Sequence, residues 1–442
     1  MIGLYKWIFW YDWLLLPIYF LILTKLFFAY GRKNYSGKIL QYFKYGFLGK
    51  MFGAFVFAIY HQYIFKGGDT YLYFSAGISV SDFITTDFSR YLTSVFAYSD
   101  TNLDLRFDTI DSIVFNPANF FVARVTAVLA LISFKAYFPI LLFFAALSYI
   151  GVWYAYSSLI KLYKNIDKEL AIVFLFIPSI VLWGSGLGKD SLTLGGTCLI
   201  FGALLRLFLL KGENKIKNII FLMVGFYVVV MIKSYIVYSF LLSFIFGIAF
   251  QKIPLIKNQT IKIIITPLIF IVVLICSYLA FSYISNDPDF GLDLIADNVI
   301  RNNRNLSNAD AAGSSYDLGI DINSVNGFTD IIPIFPKSVF ITLFRPFLWE
   351  VSNPAMLLSA MESLMFFSIF LYAILKNKIF GIFSVFIKNP LAISCLFYTI
   401  LFAGLIGISS GNFGTLVRYK IPCLPFFGLL LVLILRKKQQ KL

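Results

Sequence analysis

The stretch AIVFLFIPSIVLWGSGLGKDSLTLGGTCLIFGALLRLFLL, residues 171–210, decides between a soluble nucleotide-binding fold and a membrane bundle. Its centre, Gly184 to Ser191, has the look of a phosphate loop. A Walker loop reads G-x-x-x-x-G-K-[ST]. Counting back from Gly188-Lys189 puts Trp183 where the first glycine belongs, and Asp190 follows the lysine where Ser or Thr is needed. The dinucleotide fingerprint fails as well, because Lys189 stands at the third glycine position after Gly184 and Gly186. What remains is two apolar runs joined by a short polar turn, and these read as membrane-spanning helices.

The rest of the chain agrees. Of 442 residues, 60% are hydrophobic, 19% aromatic and only 13% charged. A soluble domain of that length has too little interior to hide so much apolar surface. The first apolar run is followed by lysines and arginines and not by a small-residue cleavage site, so it is expected to stay in the protein. A net charge of +15 would point a soluble protein toward nucleic acid. Here it follows from basic residues held in cytoplasmic loops, and no nucleic-acid partner is expected. The four cysteines, Cys198, Cys276, Cys395 and Cys423, lack CxxC spacing and lie in or beside apolar runs. They read as small core- or lipid-facing residues. With His61 as its only histidine, the chain cannot build a multi-histidine metal cluster. His61 itself reads as a hydrogen-bonded core residue.

Charge then assigns sides. Basic loops at 31–50, 161–168, 211–217, 252–262 and 376–388, with the tail from Arg436 to Lys441, are placed in the cytoplasm. Aspartate-rich segments at 66–116 and 285–336, and the glycine-rich turns 184–190 and 409–420, fall on the outer face. The expected fold is all-α: one multi-pass domain over 1–442 with about 11 spans. These lie near 10–30, 51–65, 137–160, 170–185, 191–210, 218–233, 235–251, 263–284, 355–375, 390–408 and 421–436. Residues 117–134 are too short to cross and read as an interfacial or re-entrant helix, and 337–350 as a second interfacial helix. The extracytoplasmic insertions are 66–116 and 285–350, and no soluble domain is expected after the last span.

Polar residues at the outer face are the candidates for chemistry. In KGGDTYLYF (66–74) Asp69 follows two glycines at the end of a span. A carboxylate there suits a general base, and Tyr71 and Tyr73 suit a sugar or lipid groove. The ordinary reading is a solvated turn. Lys189 and Asp190 open a helix, where free amides and the dipole attract anions and glycines allow close approach. The ordinary reading has Asp190 capping and Lys189 snorkelling. In SGNFGTLVRYKIPCLPFF (410–427) Arg418 and Lys420 break the positive-inside tendency and suit phosphate oxygens. FRPFLWE (344–350) adds Arg345, with Glu350 as its simplest partner.

Three of these stretches together resemble the GT-C superfamily of membrane glycosyltransferases: GGDTYLY with Asp69, WGSGLGKDSL with Lys189 and Asp190, and RYKIPCLPF with Arg418, Tyr419, Pro422 and Pro425. They cover about thirty residues. The resemblance implies a GT-C-like bundle in the plasma (inner) membrane, C-terminus cytoplasmic, that works in cell-surface glycan assembly. Its donor is a polyprenyl-phosphate-linked sugar, its acceptor a glycan or lipid, and membrane lipid surrounds it. Asp69 is then the base that deprotonates the acceptor, while Lys189, Arg418 and Arg345 hold the leaving phosphate. The residues themselves assign no metal site; the one cofactor left open is a divalent cation, Mg²⁺ or Mn²⁺. Three departures, an extra span before the first large loop, a single well-placed Asp and no expected soluble C-terminal domain, keep a polysaccharide repeat-unit polymerase in view, in which Arg345, Arg301 and Arg304 would outweigh Asp69. A lipid-linked glycan transporter or flippase is the third reading. The scarcity of mid-span charges such as Glu362, and the lack of inverted repeats, weigh against it.

Overall fold

A computed structural model describes residues 7–96, 116–210, 214–252, 316 and 332–436. All the elements among them are helical. Six helices are long and apolar enough to cross a membrane: Trp10–Asn34, Tyr137–Leu162, Lys189–Phe208, Lys215–Gly247, Met356–Lys378 and Pro390–Ser410. Two bent pairs, Asp167–Phe176 with Pro178–Ser185 (54°) and Phe413–Tyr419 with Leu424–Leu435 (67°), raise the number to eight if each is one span. This is the architecture of a multi-pass membrane protein.

The expected count of about 11 spans is not reached among the described residues, and particular elements account for the difference. Segments 218–233 and 235–251 are two helices that meet without a loop at a kink at Lys233 (φ −150°, ψ 77°) inside Lys215–Lys252, and together they count once among the six. The basic loop drawn over 31–50 shrinks to a turn: a helix starts at Gly37 and runs to Ile59, and Lys50 lies buried inside it. The span drawn at 263–284 lies outside the described residues, as do Arg301 and Arg304. Both short segments behave as expected from length, forming helices Pro117–Ala130 and Phe335–Phe344 that are too short to cross.

The chain divides into two compact units, Met1–Ser234 and Tyr235–Leu442. In the first unit we number α1 (Trp10–Asn34), α2 (Gly37–Ile59, extended by a π-turn Tyr60–Phe65), α3 (Asp69–Thr86), α4 (Phe88–Phe96) and α5 (Pro117–Ala130). There follow α6 (Tyr137–Leu162), α7 (Asp167–Ala171, continued by a π-turn to Phe176), α8 (Pro178–Leu182, continued as a 3₁₀ turn to Ser185), α9 (Lys189–Phe208) and α10, the part of Lys215–Lys252 that precedes the second unit at Tyr235.

Contacts along these helices fix their directions. Asp12 near the start of α1 accepts a 3.0 Å hydrogen bond from the Phe138 amide at the start of α6, and Trp153 near the end of α6 donates to Tyr35, so the two run parallel. On α2, Phe55 stacks on Phe138 and Phe43 packs on Trp153, which makes α2 antiparallel to both. Helix α9 runs parallel to α6, with Gly195 against Ser148 and Arg206 donating to Ser157 and Ser158 at 2.8 Å. Helix α10 runs back, pairing Asn218 with Tyr154, Gly225 with Gly196 and Lys233 with Asp190.

Glycine is what lets α6 and α9 meet so closely. A Cβ on Gly151 would fall 1.9 Å from the Gly195 carbonyl oxygen, and one on Gly202 would fall 3.0 Å from the backbone of Tyr154. In a membrane, close approach of small residues supplies the packing that the hydrophobic effect supplies in water.

One consequence concerns sidedness. The end of α2, the starts of α3, α6 and α9, and Lys233 share one end of this unit. Arg32, Lys33, Lys38, Lys161, Lys164, Lys168, Lys215 and Lys217 occupy the helix termini and turns at the other.

The second unit holds α11 (Phe335–Phe344), α12 (Pro354–Lys388, interrupted at Lys378), α13 (Pro390–Ser410), α14 (Phe413–Tyr419) and α15 (Leu424–Leu435). Gly407 brings α13 against α11, since a Cβ there would fall 2.4 Å from the Ser338 carbonyl, and Thr342 donates to the Ala403 carbonyl at 2.7 Å.

Candidate functional site

In the first unit, the two stretches singled out by sequence converge. Residues 66–69 turn sharply, with Lys66 at φ 53° and Gly68 at φ 112°, a conformation that glycine tolerates without strain. Asp69 is the first residue of α3 and is exposed. The ring of His61 lies over Gly68: a Cβ there would fall 2.9 Å from its Cδ2. The buried histidine shares a 3.0 Å hydrogen bond with the Phe57 carbonyl and packs edge-on against Trp183, 6.0 Å between centroids. Thus the GGD turn and the WGSGLGK loop both rest on the end of α2.

Within the loop the glycines do different jobs. Gly184 and Gly186 are filled by the protein, since a Cβ would fall 2.5 Å from Leu194 and from the Phe57 ring respectively. They were expected to bring backbone close to a ligand; packing is the reason for them instead. Of the three, Gly188 alone has room for a side chain, the Tyr73 ring standing in ordinary contact 3.9 Å from where a Cβ would be. Lys189 begins α9 and is half-buried. Asp190 is buried, and the ammonium of buried Lys233 lies 3.4 Å from its carboxylate. A buried pair of this kind is held by mutual attraction in a low-dielectric setting.

The tyrosines turn inward. Tyr71 stacks on Trp7 at 5.0 Å, packs on Tyr137 and donates to Gln62 at 3.3 Å. Burial raises its phenol above the ordinary tyrosine range, so it remains a protonated donor. Tyr73 donates to Asn119 at 3.1 Å. Of the two, only Tyr73 reaches the loop. The face of α3 that carries them, with Thr70, Phe74 and Gly77, is buried, which is why neither lies open as a groove wall.

Beside this end runs an apolar groove of about 280 Å³ between α5, α6, α9 and α10. Gly151, Gly195, Gly196 and Gly225 help to line it, Phe121, Leu147 and Val228 stand among its apolar side chains, and Ser148 and Ser191 are its polar ones. Ser191, next in sequence to Asp190, is among the groove's lining residues.

The second unit contains the remaining candidates. Arg345 makes a two-point contact with Glu350, its Nε 3.1 Å from Oε2, and its guanidinium lies 4.9 Å over the Phe413 ring. The short spacing made this partner legible in the sequence. Lys420 was expected at the mouth of the last span as a phosphate ligand. It is 1% exposed, donating to Ser363 at 3.0 Å and to the Arg345 carbonyl at 3.2 Å. Its role in this geometry is to brace the residue that carries the guanidinium. Arg418 lies half-buried in the last turn of α14.

No family model, curated protein or solved structure matches this chain. Its chemistry has to be read from these side chains. Among the described residues no group of three or more His, Cys, Asp and Glu side chains could hold a metal ion, and the buried carboxylate of Asp190 already faces an ammonium. Two buried cations, Lys50 and Lys233, were not among the candidate site residues: Lys50 was expected in a cytoplasmic loop and Lys233 near the end of a span. The available signal was a single lysine inside an otherwise apolar run, FLGKMFG and VMIKSYI.

Proposed function

We propose that this chain is a GT-C-like membrane glycosyltransferase of cell-surface glycan assembly. It moves a sugar from a polyprenyl-phosphate carrier to a glycan or lipid acceptor on the extracytoplasmic face of the plasma membrane. The observation that carries the reading is the convergence of the Asp69 turn and the Lys189 loop at the end of the first unit opposite its lysine-rich termini. An apolar groove suited to an isoprenoid chain lies alongside.

In this reading the Asp69 carboxylate takes the proton of the acceptor hydroxyl as that oxygen bonds to the anomeric carbon. The bond from carbon to phosphate oxygen breaks, and the polyprenyl phosphate leaves with the electron pair. Lys189 offsets the charge that grows on the phosphate. Positive-inside logic puts the lysine-rich end, and the C-terminus, in the cytoplasm.

Transfer from undecaprenyl-phosphate-linked sugars by purified protein tests this. Asp69→Asn is expected to remove activity, and Lys189→Met to raise KM for the donor. The braced Arg345 supports a second reading, a repeat-unit polymerase. Activity kept in Asp69→Asn and lost in Arg345→Ala selects it. Movement of lipid-linked substrate across proteoliposomes with no new glycosidic bond would replace both with transport.

A further inference from the structure

The loop that carries Lys189 leaves the half-helix α8, and α8 ends on a lysine that belongs to none of the motifs. Lys50, in the middle of α2, is 1% exposed. An ammonium has three N–H groups, and three acceptors meet them here: the Gly184 carbonyl at 2.7 Å, the Ile180 carbonyl at 2.9 Å and Ser148 Oγ at 3.1 Å. The two carbonyls belong to the last turns of α8 and its 3₁₀ extension, where helix geometry leaves acceptors unsatisfied. Inside a membrane no water is at hand to take them.

Two glycines make the contact possible. Gly53 lets α2 pass the half-helix, since a Cβ there would fall 1.9 Å from the Val181 carbonyl oxygen; one on Gly184 would fall 2.8 Å from Lys50 Nζ. The third acceptor, Ser148, is on α6 and lines the apolar groove. One buried ammonium therefore ties α2, α6 and the carbonyl end of α8 together, one residue before the loop 185–188 begins.

We propose that Lys50 is a positioning residue: it fixes where the loop departs, and so where Lys189 and the start of α9 face an anionic headgroup. Its charge also offsets the negative end of the half-helix, which would otherwise oppose an anion bound at the loop. The choice of a phosphate-bearing lipid as ligand rests on the transferase reading; the mechanical claim does not.

The test uses the full chain in phosphatidylethanolamine–phosphatidylglycerol nanodiscs, with its four cysteines replaced by alanine and Gly188→Cys added as a reporter. In Lys50→Met the maleimide reaction at position 188 is expected to run at least about tenfold faster, since even one of the three charge-assisted hydrogen bonds lost is worth about that factor. A rate equal to the parent's, in protein with an unchanged unfolding midpoint, overturns the proposal. Should Lys50→Met not fold, Lys50→Gln keeps an amide donor, and a rate between the two is expected; a parental rate there again overturns it. Transfer from an undecaprenyl-phosphate-linked sugar is measured in parallel. Faster labelling with parental kcat/KM supports the positioning role and removes the loop from the transferase reading. Parental labelling with reduced kcat/KM overturns the positioning role and leaves the transferase reading standing.

Discussion

Replacing Gly151 by alanine probes the seam between α6 and α9. The added Cβ would fall 1.9 Å from the Gly195 carbonyl oxygen, and ordinary contact begins at 3.4 Å, so the helices must part by the difference, 1.5 Å. A radial gap near 1 Å gives up as much as half of each atom pair's attraction of about 0.1–0.2 kcal/mol; over about forty pairs the seam loses about 3 kcal/mol. Alanine recovers about 1 kcal/mol of helix propensity, leaving a net loss of about 2 kcal/mol. Gly49→Ala is the matched control, because nothing lies within 4 Å of its Cβ position. It is expected to stabilise by about 0.5–1 kcal/mol. Unfolding in mixed SDS–dodecyl maltoside micelles, followed by far-UV circular dichroism, reads both. If the two alanines shift stability in the same direction, the close seam is refuted.

Other parts of the first unit make separate predictions. Lys233→Met takes away the ammonium beside the Asp190 carboxylate and is expected to cost about 3–5 kcal/mol, most of it recovered when Asp190→Asn is added. A double-mutant cycle showing purely additive effects would contradict the pair. Filling the groove by Val228→Trp is expected to weaken use of a long-chain polyprenyl donor while sparing a two-isoprene analogue; equal effects on both would remove the groove from substrate binding. Single cysteines at positions 69 and 188 should label from one side of sealed vesicles and a cysteine at position 164 from the other. Labelling of 69 and 188 from opposite sides would end the idea of a shared site.

Sequence alone determined that this is a helical membrane protein, and it anticipated that Asp69 and Lys189 gather at the end away from the lysine-rich turns. Each of those conclusions adds up residue by residue. The transfer energy of an apolar run depends on its own side chains, and charge placement depends on the loop that carries it. Arg345 and Glu350 were legible for a similar reason, being only five positions apart. What tertiary structure decided are the partners of buried polar groups and the neighbours of glycines. Lys50 sat in a presumed loop because its acceptors come from residues 98 and 134 positions away. Gly184 and Gly186 looked like room for a ligand until Leu194 and Phe57 were seen to fill it, and Tyr71 looked free until α3 turned it onto Trp7 and Tyr137. A buried donor or acceptor is satisfied by whatever the fold brings beside it, and hydropathy along the chain carries no record of that meeting.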